Sequence, residues 1–261
     1  MRVLSTLILS LALGFSAIAD CASRGVWALP AFGKIAPEGL IVLETYARSQ
    51  RIIDSINSSY MVYLELNDTL VELEVLEICH GMFEVSQAIL RPKTKLKPGE
   101  EYLLQIRHRQ TSRDLNPERY NQKTENYERI KWVVDESVSS TSSSWAKGPT
   151  VQDYSLFWFG CGPACHVNFE YQIDIPDSSF LLMRVELMEV GSEITWQYHL
   201  PIANNGEFSI GHGMCSGPFY FQTKAKYLVR FALLDPNGDL RDSYTEWIPF
   251  DSPYSKTGDM D

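Results

Sequence analysis

Residues 166–175 read HVNFEYQIDI, and every second residue is apolar. Val167, Phe169, Tyr171, Ile173 and Ile175 alternate with His166, Asn168, Glu170, Gln172 and Asp174. A period of two places the two sets on opposite faces of an extended strand, one dry and one wet. The same period recurs outward in both directions. YLVRFALL sets Tyr227, Val229, Phe231 and Leu233 on one face, and TLVELEV sets Val71, Leu73 and Val75 opposite Glu72 and Glu74. EYLLQIRHR (101–109) and FLLMRVELMEV (180–190) behave similarly, with more apolar residues on both faces. Turn signals separate these runs: LNDT at 66–69, KPGE at 97–100, ANNGE at 203–207 and DPNGD at 235–239. No stretch carries an apolar stripe over three helical turns. The pattern predicts an all-β protein built from antiparallel sandwiches.

The chain has 261 residues, and a serine-rich stretch, DESVSSTSSSWAKGPT, occupies residues 135–150. Such a run buries little and competes for backbone hydrogen bonds, so it reads as a linker. The expected organisation is one sandwich over residues 20–134, the linker, a second sandwich over 151–252 and a tail from 253 to 261.

The first residues, MRVLSTLILSLALGFSAIADCAS, have the form of a secretory signal. Arg2 supplies the positive start, Val3 to Ile18 the apolar run, and Ala17 and Ala19 the small residues that signal peptidase fits, predicting cleavage between Ala19 and Asp20. The run is shorter than the roughly 20 apolar residues a membrane-spanning helix needs. Asp20 stands where a lipoprotein would carry a small residue before Cys21. The expectation is a secreted or periplasmic chain with no transmembrane segment after signal removal.

Formal net charge is −10, and it is unevenly spread. Residues 20–134 carry 15 basic and 16 acidic side chains, residues 135–261 carry 7 and 17. An acidic half-chain repels phosphate backbones and anionic lipid, which argues against nucleic acid and a membrane surface as partners.

Two segments carry a resemblance. LKPGEEYLLQI (96–106) resembles the Leu-x-Pro-Gly-x-x-Tyr-x-Leu-x-Ile segment of fibronectin type III and bacterial immunoglobulin-like domains. In those domains the tyrosine hydroxyl ties the corner to nearby backbone, a part Tyr102 would take here. KYLVRFALLDPNGDLRDSYTEWIPF (226–250) is similar to the closing strand pair of such domains, with Asp239 where asparagine is usual. The layout resembles secreted bacterial proteins with tandem sandwich domains. The resemblance implies two immunoglobulin-like sandwiches and specifies no activity.

Five cysteines lie beyond the signal: Cys21, Cys79, Cys161, Cys165 and Cys215. In an oxidising compartment disulfides are the default, and bridges kept within each half would join Cys21 to Cys79 and Cys161 to Cys215. Cys165 in place of Cys161 is the alternative partner, and otherwise it is a small buried apolar residue. CGPACH (161–166) differs from a thioredoxin-type redox motif in having three intervening residues and a strand after it where the thiolate-stabilising helix would be. Cys161, Cys165, His166, His212 and Cys215 hold enough sulfur and nitrogen for a metal site, yet His166 and Cys165 have opposite parity on one strand. Asp235, Asp239 and Asp242 could suggest a calcium loop, but the spacing lacks the EF-hand pattern. The basic segment 107–131, with Tyr120 and Tyr127, could form a binding edge, and Asn57 and Asn67 head glycosylation sequons. No catalytic constellation and no cofactor motif stands out. The expectation is a non-enzymatic exported protein that binds a protein or glycan partner or serves the envelope structurally. The alternatives are a metal-binding or thiol-active protein and a pilus-assembly-type chaperone.

Overall fold

The computed structural model describes residues 21–256 apart from 31–32, 112, 123, 141–143, 175–180, 203–205 and 240–242. The signal segment with its cleavage site at Ala19 and Asp20, Asp242 and the tail from 257 therefore lie outside the described residues. In the first half the chain forms β1 (Arg24–Leu29), β2 (Lys34–Ile35), β3 (Ile41–Ala47), a short helix α1 (Gln50–Asp54), β4 (Tyr60–Leu66), β5 (Thr69–His80), β6 (Val85–Pro92) and β7 (Glu101–His108). It continues through β8 (Arg113–Leu115), β9 (Glu118–Asn121), β10 (Asn126–Arg129) and β11 (Lys131–Val134). The second half holds β12 (Ser144–Phe159), β13 (Gly162–Asp174), β14 (Leu182–Glu189), β15 (Thr195–Pro201), β16 (Glu207–His212), β17 (Lys226–Leu234), β18 (Ile248–Asp251) and a short helix α2 (Pro253–Lys256). The protein is all-β, as the alternation requires.

The first sandwich has strand order β1-β3-β6-β5-β4-β7-β11-β2, folded over on β5. Residues Leu73–His80 of β5 pair with β6, and Thr69–Glu72 pair with β4, so one strand serves both layers. Between the layers pack Leu43, Leu64, Leu90, Leu104 and Trp132, all fully buried. The Trp132 indole N–H, which has to find an acceptor when buried, donates to the Pro30 carbonyl at 2.8 Å. The Tyr102 hydroxyl accepts the Lys97 N–H at 3.1 Å, the corner that the Pro-Gly-x-x-Tyr segment implied. Tyr227 repeats it at the same spacing, accepting the Gln222 N–H at 2.7 Å.

The second sandwich sets β12-β13-β16 against β15-β14-β17-β18. Its core is aromatic: Phe169 stacks on Phe208 and meets Phe231 edge-on, and Phe250 stacks on Tyr227. Cys165, Val167, Phe169 and Tyr171 of β13 are buried while His166, Asn168 and Glu170 are partly exposed, the faces the alternation assigned.

Three features depart from the sequence reading. Ser144–Thr150, placed in the linker, are the first part of β12, paired through register shifts with residues near the end of β13. Trp145 anchors this stretch on the second core, edge-on to Tyr171, and the small residues around it supply backbone to an edge strand. Pro253 and Tyr254, placed in the tail, belong to α2 and pack on the second sandwich. The third departure concerns how the halves meet. β3 and β6 are buried on both faces, their apolar residues broken by the buried polar residues Thr45, Ser86 and Gln87. Ile41, Leu43, Ala88 and Leu90 face the first core, whereas Leu40, Val42 and Ile89 pack with Leu182 and Leu234 of the second half.

Candidate functional site

The expected disulfides are not the ones formed. Cys21, just ahead of β1, is bonded to Cys215, 194 residues away, with Cα atoms 5.8 Å apart. Cys79, Cys161 and Cys165 are thiols. The expectation failed because it kept bridges within each half, while the packed halves bring residue 21 to the loop after β16. The expected Cys/His set is not assembled either. Cys215 is spent in the disulfide, Cys161 lies on the surface, and Cys165 is fully buried in the second core, its thiol pushed up to about 12 by burial. His212, opposite Cys165 on β16, stacks on Tyr220 and shares Nδ1 with the Gly213 carbonyl at 2.9 Å. Burial lowers the pKa of both His166 and His212. Asp235 closes its hairpin turn, its Oδ1 accepting the Asn237 and Asp239 N–H groups at 2.9 Å each.

A cluster that the sequence reading missed lies between the halves. Among the described residues, metal-capable side chains of three or more residues converge only at Glu77, Cys79 and His199, with one ligand atom from each within 4.8 Å of the others. The cause is a bulge in β5. Val75 pairs with Leu90, but the register then shifts so that Glu77 pairs with Ile89. One extra residue exchanges the faces of a strand. Val75 therefore looks into the first core, while Glu77 and Cys79 look out at β14 and β15. Arg184 of β14 donates to both Glu77 carboxylate oxygens, at 2.8 and 3.1 Å, and the Gln197 amide donates to Glu77 as well. Cys79 Sγ lies 3.8 Å from His199 Nδ1, and His199 Nε2 lies 3.8 Å from Glu77 Oε2.

Burial fixes the protonation states. His199 is 2% exposed, and desolvation with the nearby Arg184 charge lowers its pKa to about 3, so the imidazole is neutral. Desolvation raises the Cys79 thiol to about 12, so it stays protonated. A protonated thiol beside a neutral imidazole is not an activated nucleophile. The cluster knits the halves together and sets sulfur, nitrogen and oxygen donors side by side.

The second feature is the β12–β13 hairpin, where Gly160 and Cys161 make the turn and Phe159 pairs with Gly162. Gly162 adopts φ +136°, a conformation that a side chain would strain, which explains glycine at this corner. Phe157, Trp158 and Phe159, the last residues of β12, are 60%, 62% and 53% exposed. Three successive aromatics ending a strand were visible in the sequence; their exposure was not, since a buried strand end would read the same.

No family model matches the chain, and no curated protein matches it. Among solved structures, pullulanase type I from Bacillus subtilis aligns at 11% identity with TM-score 0.26, covering 88% of this chain and 25% of that one. Chicken CNTN1 FN1-FN3 domains align at 12% identity with TM-score 0.25, over 84% of this chain and 65% of that one. The Yersinia pseudotuberculosis adhesin InvE aligns at 10% identity with TM-score 0.23, over 87% and 58%. The chain spans a quarter of the pullulanase's length. Strand order and register define the sandwiches.

Proposed function

We propose that the chain is an exported, non-enzymatic binding protein whose partner surface is the β12–β13 finger. The observation that carries this reading is the run Phe157–Trp158–Phe159, more than half exposed on a hairpin tip. Exposed large aromatics cost solubility and are typical of binding anchors. The Cys21–Cys215 bond supports export, because such bonds persist in oxidising compartments. It also leaves Cys21 no thiol for a lipid. The test is a crosslinked recovery of partners from native envelope and medium, comparing the wild type with the F157S/W158S/F159S variant. The expected outcome is material retained by the wild type and lost from the variant; equal recovery by both would overturn the reading.

A second reading, a metal-holding protein, draws support from Glu77, Cys79 and His199 in place of the five residues expected from sequence. Their sulfur, nitrogen and oxygen donors suit zinc. Arg184 opposes it, since its guanidinium already neutralises Glu77. Elemental analysis of protein purified without chelators separates the two readings: one zinc per chain, lost in Cys79→Ser, favours the metal.

A further inference from the structure

The aromatic finger is apolar on every side. Strand alternation points Phe157 and Phe159 one way and Trp158 the other, and all three are exposed. A surface made to fit a groove on another protein is apolar on one face; a tip that is apolar all round suits a medium that surrounds it.

The segments that meet at the base of the finger carry no formal charge. In a protein of net charge −10, residues 155–169 contain no Asp, Glu, Lys or Arg, and neither do residues 208–223 or 21–23. These segments meet in space. The Met214 carbonyl oxygen lies 3.8 Å from where a Cβ on Gly162 would stand, β16 ends opposite the start of β13, and Cys21 is bonded to Cys215. The two histidines among them, His166 and His212, are partly or fully buried.

Taking the finger as the binding surface proposed above, we infer that it seats in the headgroup–acyl boundary of a neutral lipid bilayer, with Phe157, Trp158 and Phe159 as the inserted residues. Tryptophan prefers that boundary, and phenylalanine serves there as buried apolar area. An uncharged tip loses no ionic hydration on entering it, whereas the acidic second half opposes anionic lipid.

The test uses the exported protein purified from its host, with removal of the apolar run verified by mass, and vesicles of phosphatidylcholine or of phosphatidylcholine mixed with phosphatidylglycerol. Co-sedimentation is expected with the neutral vesicles and weaker with the mixed ones. F157S/W158S/F159S, shown to be folded by its thermal melt, should lose about tenfold or more in binding. Trp158→Phe should keep binding but lose the fluorescence quenching given by brominated lipid, although five other tryptophans remain. Failure to bind neutral vesicles, or unchanged binding by the triple variant, overturns the inference. If vesicles are not bound while the wild type still recovers a protein that the triple variant does not, the bilayer is the wrong partner and the finger remains the binding surface.

Discussion

Gln87 illustrates how much one residue carries at the contact between halves. Its amide donates to the His199 carbonyl at 2.8 Å and accepts the His199 N–H at 3.1 Å, so one side chain satisfies both backbone groups of an edge strand. Gln87→Ala leaves both without these partners and should cost about 3 kcal/mol. A lower urea midpoint with unchanged slope is the expected readout. His199 itself makes stability depend on pH. Its pKa is about 3 folded, against roughly 6.5 in the unfolded chain, so on acidification the unfolded state takes up the proton first. Stability is therefore lost as pH falls from about 6.5 toward 3, and His166 and His212 add to the loss with the same sign. Glu44, raised by burial, runs the other way: the stability it lends in acid fades as pH rises. Cys79 and Cys165 give a loss as pH climbs above roughly 9 toward 12. His199→Asn should show a smaller drop in urea midpoint between neutral and mildly acidic buffer than the wild type.

At the scale of the element, β5 decides how the halves meet. Leu76 is the extra residue of the bulge and is exposed, so Leu76→Ala should change stability by no more than about 0.5 kcal/mol. Deleting Leu76 removes the bulge but keeps Val75 opposite Leu90 and Glu77 opposite Ile89, each on its present face, so the shortened chain should still fold; circular dichroism and solubility check this. The tyrosine corners are independent elements: Tyr102→Phe and Tyr227→Phe each remove one hydrogen bond and should cost about 1 kcal/mol apiece. Here the limits of sequence reading have a physical origin. Alternation over Val167–Tyr171 and the Pro-Gly-x-x-Tyr corner at Tyr102 are local signals, and both took the form they implied. The bulge is not local. Glu72, Glu74 and Glu77 look alike in sequence, and only pairing with β6 reveals that Glu77 faces Arg184. Burial of β3 on both faces was likewise written in the run LIVL (40–43), but a run apolar on both faces does not say what covers the second one.

The whole molecule is held by apolar contact, the Glu77–Arg184–His199 cluster and one covalent bond across the halves. Cys21–Cys215 closes a loop of nearly the entire described chain, and constraining so long a loop in the unfolded state is worth about 5 kcal/mol in the chain-entropy picture. Reduction should lower the urea midpoint substantially and release the N-terminal residues to proteolysis. Thiol counting checks the pairing directly. In native buffer Cys161 should react with a bulky reagent, and denaturant should expose Cys79 and Cys165, for three thiols in all.

The position of Cys21 has a consequence for the order of events. A chain emerging from its N-terminus offers Cys21 first to Cys79, then to Cys161 and Cys165, and only last to Cys215. The correct partner arrives after every wrong one. A Cys21–Cys79 bond made early has to be undone before β5 can dock against β15, so the yield of native protein should depend on thiol exchange, and Cys79→Ala should fold faster under oxidising conditions.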